Sequence, residues 1–304
     1  MAKLPSDQLK QQFINKHNHL RQLRERQARQ GIFIDDSIIA AIDQLEMDLK
    51  QILAELTERR ETESLLAMVD SSSPKSRQYQ IALHWAEDRR QTSLARFDLD
   101  GVDLSGVDLA GADLRVTNLI SANLTGANLR EANLHFADLQ GVNLHQANLY
   151  DADLSEADLR EADLSEADLR LADLSDVDLG QAHLVRASLQ QADLVEANLS
   201  EADLSEANLS EADLSWTNLW ANLYRANLSE ADLRGASLTA ANLTGANLSQ
   251  AILHKAILNM TTLHDADLSG ADLSSASLVG ARYNAGTKWP SDVDPEAAGA
   301  VFES

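Results

Sequence analysis

The hydrophobic positions of this chain recur every five residues over more than half of its length. Leucine stands at every fifth position from Leu99 to Leu219 and, after one step of four, from Leu223 to Leu278. A small residue, mostly alanine, precedes each leucine by two positions, and an Asp or Asn mostly precedes it by one, as in the run DADLSEADLREADL that begins at Asp151. Self-similarity at a fixed period is the signature of a repeat architecture, so the pattern predicts one continuous solenoid.

Neither an α-helix nor a flat strand buries a period of five. Five residues of helix advance a side chain by roughly 500°, so successive leucines wander around the axis. Along a strand, an odd step places successive leucines on opposite faces. A chain that turns a corner in every repeat points each leucine at one axis, and four corners close a coil of about twenty residues, stacked roughly 4.8 Å from the next coil.

The period gives 37 repeats, counted by their central leucines, and their prevailing form A-(D/N)-L-x-x resembles the pentapeptide repeat family. The resemblance implies a mainly β fold, a right-handed quadrilateral β-helix, which we assign to residues 96–283. Counting by twenty then places residues of every fourth repeat on the same side of the coil. Tyr283 falls in the central position that follows the last leucine.

The C-terminal residues, 284–304, are predicted to form a C-terminal cap. Their sequence, with Trp-Pro and Asp-Pro, resembles the ending of cyanobacterial-type pentapeptide repeat proteins. Ile252 and Ile257 replace the usual Asp or Asn of their repeats, which indicates cover by another segment. Trp289 and Phe302 are the side chains that we expect to lie over the last coils.

A small α-helical hairpin domain is predicted before the solenoid, over residues 1–69. Helical apolar spacing runs from about residue 6 to 30 and from about 35 to 60, and Gly31 ends the first helix. Residues 70–78 read as a linker and residues 79–95 as an N-terminal capping helix that covers the open end of the solenoid.

The hairpin has a basic first helix and an acidic second helix, which predicts mutual neutralisation; an anion-binding patch is the alternative. Its helix–loop–helix rhythm is similar to adaptor modules of bacterial signalling and conflict proteins. Because a two-helix hairpin leaves an apolar face uncovered, we predict homo-oligomerisation through residues 8–60 or docking on another chain.

The charge of the chain is concentrated in the solenoid. The whole chain carries −23, and residues 97–283 alone carry −21. Such a surface repels nucleic acid and anionic membranes and attracts basic proteins, so we predict a protein partner and no direct binding of nucleic acid or membrane. The sequence has no cysteine, no apolar signal segment and no run of about 18 apolar residues, so a cytoplasmic location is expected.

One side of the coil concentrates the acids. We call it the acidic face; its central residues are Leu114, Leu134, Leu154, Leu174, Leu194 and Leu214. Its predicted partner-binding residues are Asp153, Glu156, Asp173, Asp176, Asp193 and Glu196. The alternative is that these Asp side chains bond turn backbone and the Glu side chains keep the solenoid soluble. A neighbouring side stacks Glu166, Arg186 and Glu206, which predicts an ion-pair ladder.

The period fails once, in the four-residue step from Leu219 to Leu223, which we call the fault. One residue is missing there from an outward position. Trp216, Trp220 and Tyr224 surround the fault and are predicted to form an exposed aromatic cluster. Clustered Trp and Tyr are typical of binding hot spots, whereas the alternative is that the rings cover a strained corner.

No motif of the sequence points to catalysis. It has no phosphate-binding loop, dinucleotide fingerprint or nucleophile elbow, and its histidines lack metal-ligand spacing. We therefore predict that the protein is not an enzyme and has no catalytic residues, no cofactor and no metal.

The predicted function is a non-enzymatic interaction scaffold or regulatory protein with a rigid acidic solenoid. The alternative is a DNA mimic that inhibits or protects a DNA-binding enzyme such as a type II topoisomerase. The resemblance implies that alternative, since some family members protect these enzymes, but those members mix Phe into the central position that is all leucine here.

Overall fold

The computed structural model describes residues 94–304, which wind into a four-sided coil. The predicted hairpin (1–69), the linker (70–78), most of the capping helix (79–95) and the predicted oligomerisation surface (8–60) lie outside the described residues. From Asp98 to Asn198, each residue that precedes a central leucine forms a parallel bridge with the residue twenty positions later. Four repeats therefore make one coil, as counting by twenty predicts.

The coils are joined by a continuous ladder of backbone hydrogen bonds. In a regular coil, the amide of a central leucine donates to the carbonyl nineteen residues later, as from Leu154 to Asp173 at 2.7 Å. A regular corner adds a turn bond, as from the Ala157 amide to the Leu154 carbonyl at 3.1 Å. The second turn residue has a left-handed backbone, for example Glu156 with φ 55°. Its amide also joins the ladder, donating to the Ser175 carbonyl at 3.0 Å, which holds the corner in this otherwise costly conformation.

The core is a single column of leucines along the axis. Every central leucine from Leu94 to Leu268 is at most 1% exposed. From Ala112 to Ala271 the residues two positions before a central leucine are buried as well, and these are mostly alanine, with a few valines and threonines. Where threonine takes this position, its hydroxyl donates a hydrogen bond to a backbone carbonyl, as from Thr261 to Leu238 at 2.8 Å. The interior is therefore filled, and the hydroxyls of these buried threonines are hydrogen-bonded.

The fault removes one residue from one coil without breaking the ladder. Four successive bridges, from Asp203–Asn222 to Asn218–Ser237, join residues nineteen apart, and the spacing returns to twenty at Asn222–Asn242. No residue between Leu219 and Asn222 has a left-handed backbone. The missing residue is therefore the left-handed turn residue, which is an outward position, as the sequence predicted.

The chain ends in the only two strands of residues 94–304 that exceed a single bridge. β1 (Arg282–Tyr283) pairs in parallel with β2 (Val301–Phe302). Tyr283 is buried in the central position, and burial raises the pKa of its hydroxyl. The rings of Trp289 and Phe302 each lie 5.5 Å from the Tyr283 ring, edge to face.

The C-terminal residues do not cover the side wall that the sequence analysis assigned to them. Ile252 is 38% exposed and Ile257 is 40% exposed, so the predicted cover over these two residues was wrong. The reason is the direction of the chain: β2 continues the stack beyond β1 at the end of the axis instead of turning back along the side of the coil.

Candidate interaction surface

The Asp residues of the acidic face form a column along the coil. Bridges join Asp153 to Asp173, Asp173 to Asp193, Asp193 to Asp213 and, across the fault, Asp213 to Asp232. One Oδ1 atom of each accepts the amide two residues later, as at Asp173, where Ser175 donates at 3.0 Å. The structural part of the alternative interpretation is therefore correct: these side chains do hold the turns.

Asparagine supports the same turn, so the backbone does not require aspartate. Asn123 Oδ1 accepts the Thr125 amide at 3.2 Å, and Asn123 Nδ2 also donates to Asp103 in the preceding coil at 3.0 Å. Between Asp153 and Asp232 the acidic face has no asparagine at this position and gains no such bond between coils. Stacked carboxylates repel one another, so this column lowers stability where asparagine would raise it.

The left-handed corner positions extend the acidic face outward. Glu156, Asp176 and Glu196 are exposed, and each stands three residues after an Asp of the column. Among residues 94–304, none of these three carboxylates and none of Asp153, Asp173 or Asp193 takes part in an ion pair. The structure thus brings all six predicted acidic residues together on one face.

Arginines neutralise acids elsewhere on the coil. Arg160 donates to Asp158, and this hydrogen bond lowers the pKa of the Asp158 carboxyl. Arg170 binds Asp168 in the same way. On the acidic face itself, ion pairs occur at two ends, Arg115–Asp113 and Arg234–Asp232, and leave the middle of the column without a cation.

The predicted ion-pair ladder is present in part. Arg186 Nε lies 2.8 Å from Glu206 Oε2, and this hydrogen bond lowers the pKa of the Glu206 carboxyl. Glu166 does not join the ladder through an ion pair. Its Oε2 instead accepts from Gln146 Nε2 at 2.8 Å, from the coil on its other side.

The three aromatic residues around the fault do not form one cluster. Trp216 and Tyr224 belong to turns on either side of the fault, and Trp220 follows Leu219 in the corner that has lost its turn. Among the described residues, no ring contact joins any two of them. The prediction of a cluster was wrong because residues four or five apart occupy successive corners of the coil and point in different directions.

Each of the three rings has a separate setting. Trp216 is 62% exposed and lies over Gly235, where an added Cβ would stand 2.5 Å from Trp216 Cε3. Tyr224 lies beside Arg225, with the guanidinium carbon 5.0 Å from the ring centroid. Trp220 is 51% exposed and borders a groove opened by the fault.

The groove has a volume of about 380 Å³ and combines carboxylates, amides and an indole. Its lining residues are Glu201, Ala202, Asp203, Trp220, Ala221, Asn222, Ala240 and Asn242. Of these residues, only Trp220 was predicted from the sequence. The four-residue step does indicate a groove, because a missing outward residue leaves space at a corner. The residues of adjacent coils that line this corner can be identified only when the spacing of nineteen is known.

Sequence reasoning also missed two other features. Asp232 continues the acidic column beyond the fault, nineteen residues after Asp213 instead of twenty. Phe136 is a further exposed ring, 50% exposed and in contact with His135 at a centroid distance of 4.2 Å, so aromatic exposure is not confined to the fault.

Within 94–304, no three His, Asp or Glu side chains are grouped as a metal ion requires. No helix of this part of the chain has the length and apolar character needed to cross a lipid bilayer.

The family model described as pentapeptide repeats matches this chain in eight copies that together extend from residue 90 to residue 282. No catalytic family is indicated. Comparison with curated proteins gives no match.

Several solved structures are similar to this chain. HetL, a pentapeptide repeat protein involved in heterocyst differentiation regulation in the cyanobacterium Nostoc sp. strain PCC 7120, is 36% identical over 67% of this chain and 95% of its own, with a TM-score of 0.59. Rfr23, from the cyanobacterium Cyanothece 51142, is 37% identical over 35% of this chain and 63% of its own, slightly less than two thirds, with a TM-score of 0.23. QnrB1, a plasmid-mediated fluoroquinolone resistance protein, is 18% identical over 64% of this chain and 90% of its own, with a TM-score of 0.29, and carries no argument about function.

Proposed function

We propose, given that this chain belongs to the pentapeptide repeat family, whose members fold as right-handed quadrilateral β-helices, that it is a non-enzymatic interaction scaffold or regulatory protein. In this proposal the acidic face binds a basic protein partner in the cytoplasm. The predicted adaptor-like hairpin, with oligomerisation through residues 8–60, would recruit further chains.

The observation that carries the proposal is the column of five aspartates from Asp153 to Asp232. Asparagine would keep the turn bond and add a bond between coils, yet this position holds aspartate in five successive coils. A column of carboxylates lowers stability but attracts cationic groups. Its repetition along one face therefore supports a role in binding a basic partner.

The filled interior supports a role at the outer surface. The leucines on the axis leave no exposed side chain inside the coil, and the backbone amides and carbonyls are used in the ladder. Ligand sites are concave and partly apolar, whereas the acidic face is an exposed side of the coil and is charged. Binding of a protein is therefore the chemistry that this face supports best. HetL, the similar protein described as involved in regulation, is consistent with such a role.

The test is affinity capture with the full chain and two triple variants of equal charge. In the first variant the acidic face is neutralised by Asp153→Asn, Asp173→Asn and Asp193→Asn. In the control, three aspartates of other faces are replaced by Asp138→Asn, Asp163→Asn and Asp178→Asn. We expect the first variant to lose the basic partner and the control to keep it. Equal capture by both variants would show that the acidic face does not select the partner.

A DNA mimic is the second candidate, and the charge density of the solenoid favours it. Residues 97–283 carry −21 over roughly nine coils of about 4.8 Å, or about one net charge per 2 Å. B-DNA carries one charge per about 1.7 Å of its axis. In this reading the partner is a DNA-binding enzyme such as a type II topoisomerase. DNA would then compete with the protein for that enzyme, and binding would weaken steeply with salt; binding unaffected by DNA would exclude mimicry.

A further inference from the structure

The groove at the fault has the components of a cation site but holds no cation of this chain. Its indole, Trp220, is 51% exposed, and two of its lining residues, Glu201 and Asp203, are acidic. Among residues 94–304, no Lys, Arg or His forms an ion pair with either carboxylate. Both carboxylates bind only neutral donors: Gln181 donates to Glu201 at 3.0 Å, and Asn222 donates to Asp203 at 3.0 Å.

The fault is the reason that the groove is open. In a regular corner, a left-handed residue follows the position of Trp220 and fills the space above the next coil. Here the backbone passes directly to Ala221, and the Trp220 carbonyl accepts from the Glu201 amide at 2.6 Å. Trp220 therefore lines the vacated corner together with Glu201 and Asp203 of the preceding coil.

An earlier part of the solenoid shows how a guanidinium binds between an aromatic ring and a carboxylate. Arg130 Cζ lies 4.4 Å from the centroid of the Tyr150 ring, and Arg130 Nη2 lies 2.9 Å from Glu131 Oε1. There the aromatic ring, the carboxylate and the arginine all come from this chain. At the groove the ring and the carboxylates are present, and the arginine is missing.

We propose that the groove binds an arginine side chain of the basic partner, with the guanidinium stacked on Trp220 and hydrogen-bonded to Glu201 and Asp203. The inference rests on the proposed function, because it assumes a basic protein partner. A planar guanidinium suits both an indole face and carboxylates, whereas an anion would be repelled and an apolar group would strip water from two charges. With a volume of about 380 Å³, the groove is near the small end of ligand pockets, which suits one side chain.

The occupant is a segment of a protein and not a free cation. The charge of −21 on residues 97–283 extends well beyond the groove, so a basic segment gains attraction along the solenoid that one free side chain does not. Arginine in a basic segment therefore binds more tightly than arginine amide.

The test is titration of the full chain with a capped peptide that contains one arginine between two lysines. The indole ¹H–¹⁵N signals of the full chain are followed by NMR. We expect the Trp220 signal to shift and Trp220→Leu or Glu201→Gln to weaken binding at least about tenfold. The matched control is Trp216→Leu, which removes the other exposed indole and should change affinity less than about twofold. A peptide with citrulline in place of arginine should lose the Trp220 shift.

Three outcomes would overturn the proposal. Equal weakening by Trp216→Leu and Trp220→Leu would remove the special role of the groove, and equal binding of the citrulline peptide would exclude the guanidinium. Binding of arginine amide as tight as that of the peptide would exclude a protein segment as the occupant.

The experiments distinguish failure of the groove proposal from failure of the proposed function. If Trp220→Leu captures the basic partner as well as the unchanged chain does, the groove proposal fails while the acidic face keeps its role. If instead the Asp→Asn variants fail to distinguish the acidic face, the proposed function fails whatever the peptide titration shows.

Discussion

Insertion of one glycine between Trp220 and Ala221 should repair the fault and stabilise the coil slightly. The insertion restores a step of five residues from Leu219 to Leu223 and supplies the residue that a left-handed corner requires. Glycine is the natural choice, because it adopts a positive φ without steric cost. The groove should close at the same time, since the new residue occupies its space.

The magnitude follows from the hydrogen bonds that the fault lacks. In a regular corner, the left-handed residue donates to the next coil, and the following small residue donates to the central leucine. Among the described residues, no backbone amide reaches the carbonyls of Leu219 or Thr239, and Ala221 makes no turn bond. Two new bonds are worth about 1–3 kcal/mol together. Ordering one more residue costs about 1–2 kcal/mol, so the net gain should be about 1 kcal/mol or less.

The assay combines urea unfolding with amide hydrogen exchange. The urea midpoint should stay the same or rise slightly, and the Ala221 amide should become protected when it gains the Leu219 carbonyl as acceptor. The arginine-containing peptide should lose its binding site in the same variant. A loss of more than about 1 kcal/mol, or an Ala221 amide that still exchanges rapidly, would show that the fault is not a regular corner lacking one residue.

Three further changes should have measurable effects on stability or fluorescence. Leu194→Ala should cost about 3–5 kcal/mol in urea unfolding, since the leucine is 0% exposed and the ladder prevents collapse of the cavity. A hydrogen bond from Lys288 lowers the pKa of the Asp267 carboxyl from 3.8 to about 2. The lowered pKa contributes to the free energy of unfolding fully above about pH 4 and is lost as the carboxyl is protonated. The urea midpoint should therefore fall as the pH drops from 4 through 2. Gly235→Ala should displace the Trp216 ring and shift its fluorescence, because the new Cβ would lie 2.5 Å from Cε3.

Each of these changes has a matched control. Leu171→Ala removes a leucine that is 41% exposed and should cost less than about 1 kcal/mol. Lys288→Met should flatten the response between pH 4 and 2; an unchanged response would assign it to other carboxylates. Gly126→Ala places a Cβ at the same φ with nothing within 4 Å, so equal effects at Gly126 and Gly235 would mean backbone strain alone.

The solenoid could be predicted from the sequence because one geometric rule repeats. A leucine at every fifth position requires a corner in each repeat, and the structure confirms both the buried leucines and the stacking by twenty. The acidic column could be listed for the same reason, as far as Asp213. It could not be followed to Asp232 without knowing which position the fault had lost, because that position sets the spacing of nineteen.

Features that depend on side-chain direction could not be predicted. Trp216 and Trp220 are close in sequence, but they belong to successive corners, and no ring contact joins them in the described residues. The path of the C-terminal residues was decided by bridges between β1 and β2, which no repeat pattern encodes. The groove depends on both kinds of information, the register of two coils and the position of one indole.

The confinement of the fault to one coil has a consequence for how such a protein can change. After the coil with spacings of nineteen, the spacing of twenty resumes at Asn222–Asn242, and the central leucines from Leu223 to Leu268 remain buried. Loss of a single codon therefore alters one corner and leaves the rest of the array in phase. A solenoid built in this way can acquire a groove at a corner by one deletion. Each such groove is lined by the side chains that already surround that corner.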